Sequence, residues 1–143
     1  QGRTCRVKRK LTVLIIDDEE LVLELFAKIL KKEEHTALTA NNGKDGLLLA
    51  ERKRPDLVIL DLKLRDISGI EVLRQIKRID ENIEVIMITG YGAIRTAKTA
   101  MRLGAYEYIT KPFNVDYVRS IINDALSRAC GSPLQEARGD SEI

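Results

Sequence analysis

Pro55-Asp56-Leu57-Val58-Ile59-Leu60-Asp61 is the stretch on which the reading of this chain turns. Its consecutive apolar residues, mostly branched, predict a strand buried on both faces, as in a parallel sheet. The Asp61 carboxylate then falls at the C-terminal end of that strand, where open parallel sheets place their ligands. Upstream, Val13-Leu14-Ile15-Ile16 runs into Asp17-Asp18 in the same way. Two buried strands ending in acids bring three carboxylates to one edge of one sheet. Two further strand ends carry a hydroxyl, Thr89, and a cation, Lys111.

Outward from Asp61, strand and helix patterns alternate. Strands are predicted over residues 11–17, 35–40, 57–60, 83–88 and 106–109. Glu19 and Glu20 open the first helix, where acids suit the dipole. Val22, Leu25, Phe26 and Ile29 give it one apolar face. Asn42 is placed to cap a helix over residues 44–52, which Pro55 ends. Ser68 and Glu71 have capping-box spacing and start a helix that runs to about Ile79. Residues 93–103 form a helix with a small-residue face, stopped by Gly104. Pro112 and Asn114 lead into the last helix, with Val118, Ile121, Ile122 and Ala125 on one side. The fold class this implies is α/β, a doubly wound five-stranded parallel sheet with five helices on its two faces.

With 143 residues, 44% of them hydrophobic, the chain reads as a single domain over residues 11–128. Residues 1–10 read as a basic N-terminal tail and residues 129–143 as a linker or disordered tail. The net charge of +2 hides an asymmetry, because the first ten residues carry +5 and the rest of the chain −3. No aromatic or helical pattern accompanies the basic residues, so a solvated tail is expected and no direct nucleic-acid contact. No apolar run approaches the roughly 20 residues of a membrane span, and no signal peptide is visible. Cys5 and Cys130 read as reduced thiols of a cytoplasmic protein, with a disulfide between the tails as the alternative. The first residue is not Met, which reads as a processed or excised piece.

Three carboxylates in close company repel. Two unit charges 4 Å apart cost roughly 4 kcal/mol at an effective dielectric of about 20. A site that keeps them ionised needs a cation, and hard oxygen ligands select Mg²⁺ (or Mn²⁺). Such an ion commonly shares its shell with a phosphate, and a lysine and a hydroxyl suit phosphoryl oxygens. Asp61 is then the candidate nucleophile, since an aspartate can form an acyl phosphate. Each residue alone has a plainer reading, Asp61 as a helix cap and Lys111 as a surface charge. Their placement on four strand ends of one sheet favours the joint reading.

Over residues 11–128 the chain resembles the receiver domain of two-component response regulators. The resemblance rests on Asp17-Asp18, Asp61, Gly69 eight residues later, Thr89, and Lys111-Pro112. The stretches Ile88-Thr89-Gly90-Tyr91-Gly92, Ala100-Met101-Arg102-Leu103-Gly104-Ala105-Tyr106-Glu107-Tyr108-Ile109 and Lys111-Pro112-Phe113 are most similar to receivers attached to ATPase-type transcriptional activators. The resemblance implies a flavodoxin-like strand order 2-1-3-4-5 and a phosphoryl group accepted by Asp61 from a sensor histidine kinase. It implies Mg²⁺ held by Asp18, Asp61 and the backbone carbonyl of Lys63, with Asp17 acting through water. Lys111 then pairs with Asp61 and with the phosphate, Thr89 bonds a phosphoryl oxygen, and Tyr108 is the aromatic switch. A cis bond before Pro112 is implied as well. Phosphorylation is expected to change the face formed by residues 93–103, 106–109 and the last helix, and to form a homodimer through it.

One residue departs from the family pattern: Arg65 stands where proline is usual, which changes the freedom of the loop that carries Lys63. Asp66 beside it adds a negative charge with no role legible in sequence. A phosphate hydrolase using Asp61 is disfavoured because such enzymes usually carry a second acid two residues on, where this chain has Lys63. A nucleotide-binding domain is disfavoured by the acidic first turn, Asp17-Asp18-Glu19-Glu20, which lacks glycine. A phosphorylation-independent interaction domain on the same fold is the alternative to a phosphorylated receiver. No DNA-binding helix pair and no P-loop is present, so a transcriptional output is expected from another domain.

Overall fold

The computed structural model describes residues 10–90 and 94–130. Strands and helices alternate strictly along them: β1 (Thr12–Ile16), α1 (Glu20–Lys32), β2 (Thr36–Ala40), α2 (Gly43–Lys53), β3 (Leu57–Leu60), α3 (Gly69–Ile79), β4 (Glu84–Thr89), α4 (Ile94–Arg102), β5 (Glu107–Thr110) and α5 (Val115–Cys130). The expected tails over residues 1–9 and 131–143, Cys5, the side chain of Cys130, and Tyr91-Gly92-Ala93 lie outside the described residues. The strands form one parallel sheet in the order β2-β1-β3-β4-β5.

Successive strand residues point to opposite faces, so the central strands feed two apolar layers. Val13, Ile15, Leu57, Ile59, Ile86 and Ile88 meet Phe26 and Leu30 of α1 and Val118 and Ile122 of α5. Leu14, Ile16, Val58, Leu60, Val85 and Met87 meet Ala50 of α2, Val72, Leu73 and Ile76 of α3, and Ala100 of α4. Every residue of β3 is buried, as its unbroken apolar run requires.

The buried stripe of α1 is rotated from the expected one. Leu23, Phe26, Ile29 and Leu30 are its buried residues, while Val22 and Leu25 are only partly covered at its margin. Both sets satisfy the helical period, and the direction of the sheet chooses between them. Asn42 caps α2 by accepting from the Asp45 amide at 2.8 Å. Ser68 caps α3 through the Glu71 amide at 3.2 Å, while the Glu71 carboxylate turns along the helix to Arg74 and Gln75. Asn114 Oδ1 accepts from the Tyr117 amide at 3.0 Å and starts α5. The Lys111-Pro112 bond is cis.

The entry to β3 is fixed by Asp56. Its Oδ2 accepts from the Thr12 amide at 2.8 Å, and its own amide donates to the Thr12 carbonyl at 2.8 Å. This sets β1 and β3 in register, with Ile16 opposite Leu60. The next residue on each strand is therefore an acid, Asp17 beside Asp61.

Candidate functional site

The site is assembled at the C-terminal edge of the sheet. The Asp61 amide donates to the Ile16 carbonyl at 3.0 Å, and the Asp17 amide to the Ala40 carbonyl at 3.1 Å. Both acids thus begin where the ladder ends, and both are buried, at 3% exposure for Asp17 and 5% for Asp61. Asp18 is partly exposed. One carboxylate oxygen from each of the three lies within 4.8 Å of the others. Thr89 ends β4, is 1% exposed, and pairs with Thr110. The Lys111 amide follows directly and donates to the Thr89 carbonyl at 2.8 Å.

Lys111 crosses the site. Its Nζ lies 3.1 Å from Asp17 Oδ2, 3.3 Å from Glu19 Oε1 and 3.4 Å from Asp61 Oδ2. An ammonium has three donors, so its capacity is matched by these carboxylates. The shortest of the contacts is to Asp17, where the sequence reading paired Lys111 with Asp61. Burial pulls the ammonium down, but the hydrogen bond and charge of Asp17, then the charges of Asp61 and Glu19, hold Lys111 above the usual lysine value. Burial pushes Asp17 up to about 6, opposed by the Glu19 amide and raised further by the charge of Asp61. That amide donates to Asp17 Oδ1 at 2.8 Å.

One ammonium does not neutralise four carboxylates, and the three strand-end oxygens fit a hard divalent ion. Three carboxylate oxygens within 4.8 Å of one another can converge on one octahedral Mg²⁺, whose opposite ligands lie about 4.2 Å apart and whose adjacent ligands lie about 3 Å apart. Asp17, Asp18 and Asp61 thus form a donor set compatible with such an ion. The Lys63 amide donates to Asp61 Oδ1 at 3.1 Å, which turns the loop after β3 back over the acid. Gly69 completes that turn: its amide donates to the Leu62 carbonyl at 2.6 Å, and a Cβ there would overlap the Asp61 carbonyl and Leu62 Cα.

Tyr108 sits on β5 opposite Met87 and packs against the layer under α2, α3 and α4. Burial, then the charge of Asp61, raises its phenol above the usual value. The aromatic ring is thus half-buried and within electrical reach of Asp61.

Two site residues carried no such role in the sequence reading. Glu19 was read as a helix-opening acid, yet it is a partner of Lys111; the run of four acids after β1 was the available signal. Asp66 accepts from the Gly43 amide at 2.8 Å and from the Lys44 amide at 2.9 Å. The Gly43 amide, against slight burial and together with the Lys44 amide, holds this exposed carboxyl below its usual value.

Known proteins share this fold and much of this sequence. The family profile of the response regulator receiver domain matches residues 13–123. Sporulation initiation phosphotransferase F of Bacillus subtilis is 38% identical over 114 residues, covering 80% of this chain and 92% of that protein. The nitrogen assimilation regulatory protein NtrX of Azorhizobium caulinodans is 40% identical over 116 residues, covering 80% of this chain but 26% of that protein. Among solved structures, a CheY-like response regulator receiver domain protein from Methanospirillum hungatei superposes with a TM-score of 0.82 at 28% identity, covering 85% of this chain and 97% of that one.

Proposed function

Because the chain belongs to the response regulator receiver family of two-component systems, we propose that it is switched by a phosphoryl group accepted on Asp61 from a sensor histidine kinase. The observation that carries the proposal is the buried Asp61 carboxylate at the end of β3, with Lys111 at 3.4 Å and two more acids beside it. A relative named as a phosphotransferase, matched over nearly its whole length, supports phosphoryl transfer as the chemistry.

An Asp61 oxygen attacks phosphorus, a P–O bond forms, and the P–N bond to the donor imidazole breaks. The imidazole leaves with the electron pair and takes up a proton. Asp18, Asp61 and the Lys63 carbonyl are the ligands proposed for Mg²⁺, with Asp17 through water; the ion supplies positive charge against the phosphoryl oxygens. Lys111 exchanges its bond to Asp61 Oδ2 for a bond to a phosphoryl oxygen. It is already held by Asp17 and Glu19, so it is preorganised for that charge. Burial of the Asp17 and Asp61 side chains limits the solvent around the new acyl phosphate. Thr89 donates its hydroxyl to a phosphoryl oxygen, and Tyr108 turns inward behind it.

The signal leaves through α4, β5 and α5, which form a homodimer face. Ile94 and Met101 of α4 and Tyr117 of α5 are exposed at 77%, 43% and 48%, and such side chains suit a second copy. The output, transcription in the proposed reading, belongs to a further domain; the chain spans about a quarter of NtrX. Among the described residues no helix is long and apolar enough to cross a membrane.

Incubation with acetyl phosphate and Mg²⁺ followed by intact mass tests the acceptor. A gain of one phosphoryl group, lost in Asp61→Asn and without Mg²⁺, is expected. Equal labelling of Asp61→Asn would overturn the assignment.

A further inference from the structure

The loop of residues 62–68 carries Lys63 from β3 toward α3, and no residue of it is a proline that would fix its backbone. Its near end is tied by the Lys63 amide on Asp61 Oδ1 at 3.1 Å, and its far end by the Gly69 amide on the Leu62 carbonyl at 2.6 Å. Its middle is tied to a different element. Asp66 Oδ1 accepts from Gly43 and Oδ2 from Lys44, at 2.8 and 2.9 Å. These are the first amides of α2, which have no acceptor within the helix. A helix start also favours a carboxylate, and a bond to an ionised acceptor is stronger than a neutral one. Beside this clamp the Ile67 side chain lies so close to Gly43 that a Cβ on Gly43 would overlap it.

We propose that Asp66 is a positioning residue for the acidic site. Its carboxylate fastens the middle of the loop to the start of α2 and so fixes how Lys63 is presented to the cation. The clamp restricts from outside a loop whose own residues include no proline ring to restrict it. The inference rests on the metal reading proposed above. It also separates two roles at one helix end. The Asn42 side chain caps α2 through the Asp45 amide and bonds Asn41, whereas Asp66 joins the helix to the site.

The test compares Asp66→Ala, Asp66→Asn and Asn42→Ala in Mg²⁺ titration, thermal unfolding and amide exchange. Loss of a residue that orients a ligand costs about 10-fold in metal affinity. Asp66→Ala should show that loss, with faster exchange over residues 62–67. Asp66→Asn keeps one acceptor oxygen and should fall between. Asn42→Ala should lower Tm by about 4 °C, the usual size of a lost cap, while leaving Mg²⁺ affinity as it was. Unchanged affinity in Asp66→Ala, or an equal loss in Asn42→Ala, would overturn the proposal. If the wild-type chain shows no Mg²⁺ binding that depends on Asp18, the metal reading fails instead. Exchange over residues 62–67 then decides the clamp, and equal exchange in Asp66→Ala and wild type overturns it.

Discussion

At the scale of single residues, the site is an excess of negative charge held by the fold. Asp17 has a folded pKa of about 6 against an ordinary 3.8, chiefly from burial. Below 3.8 the carboxyl is protonated in both folded and unfolded chains, and no charge is buried. As pH rises from 3.8 through 6, the unfolded chain ionises first, so folding loses stability across that window. Without Mg²⁺, Asp17→Asn should therefore be more stable than wild type at pH 7, with the gap closing below pH 3.8. Urea unfolding at several pH values reads this directly. Added Mg²⁺ should narrow the gap, because binding to the folded state stabilises it. Lys111 is the opposite case, a single ammonium serving three carboxylates. Lys111→Ala should slow phosphorylation by acetyl phosphate roughly 10²-fold, the typical cost of one preorganised oxyanion donor.

At the scale of elements, the loop after β3 and helix α4 behave differently. The loop is built tightly around Gly69, where a Cβ has no room beside Asp61 and Leu62 backbone. Gly69→Ala should cost about 1–3 kcal/mol in urea unfolding, the range for overpacking, and should weaken Mg²⁺ binding as Asp61 shifts. Arg65 is exposed and is not among the residues with positive φ. Arg65→Pro should raise stability by about 0.4–1 kcal/mol through the unfolded chain; a large loss would show that its backbone angles exclude proline. Helix α4 is loosely anchored by comparison. It buries Ala100 alone, whereas α1 buries Leu23, Phe26, Ile29 and Leu30. Thr99 bonds the Arg95 carbonyl at 3.0 Å, a side-chain contact that competes with the helix ladder. With so little buried apolar area, α4 is expected to open more readily than α1. Amide exchange over residues 94–102 should be faster than over α1, and should change when beryllofluoride and Mg²⁺ are added.

At the scale of the whole molecule, the proposed reading expects the sheet to transmit what happens at its edge. Thr89 pairs with Thr110, the residue before Lys111, and Met87 with Tyr108, so in the proposed reading a pull on Thr89 is expected to reach Tyr108. The exposed side chains of Ile94, Met101 and Tyr117 lie on the helices flanking that strand. Sedimentation with beryllofluoride and Mg²⁺ should show a dimer, and Ile94→Glu should return it to monomer without reducing phosphorylation. A dimer that persists in Ile94→Glu would place the interface on another face.

The alternation of strands and helices was legible in the sequence because burial on both faces leaves unbroken apolar runs and helix caps act within four residues. The same runs ended in Asp17, Asp61 and Thr89, so the edge of the sheet could be read before any contact was known. Which helical stripe of α1 packs was not legible, since two overlapping sets satisfy one period and only the sheet selects Leu23 and Leu30. Glu19 reaches Lys111 across 92 residues of chain, and Asp66 reaches Gly43 across 23. The raised pKa of Asp17 depends on the burial that four strands create together. Short-range pattern is written residue by residue, whereas these charges acquire partners and lose water only when distant segments close on one another.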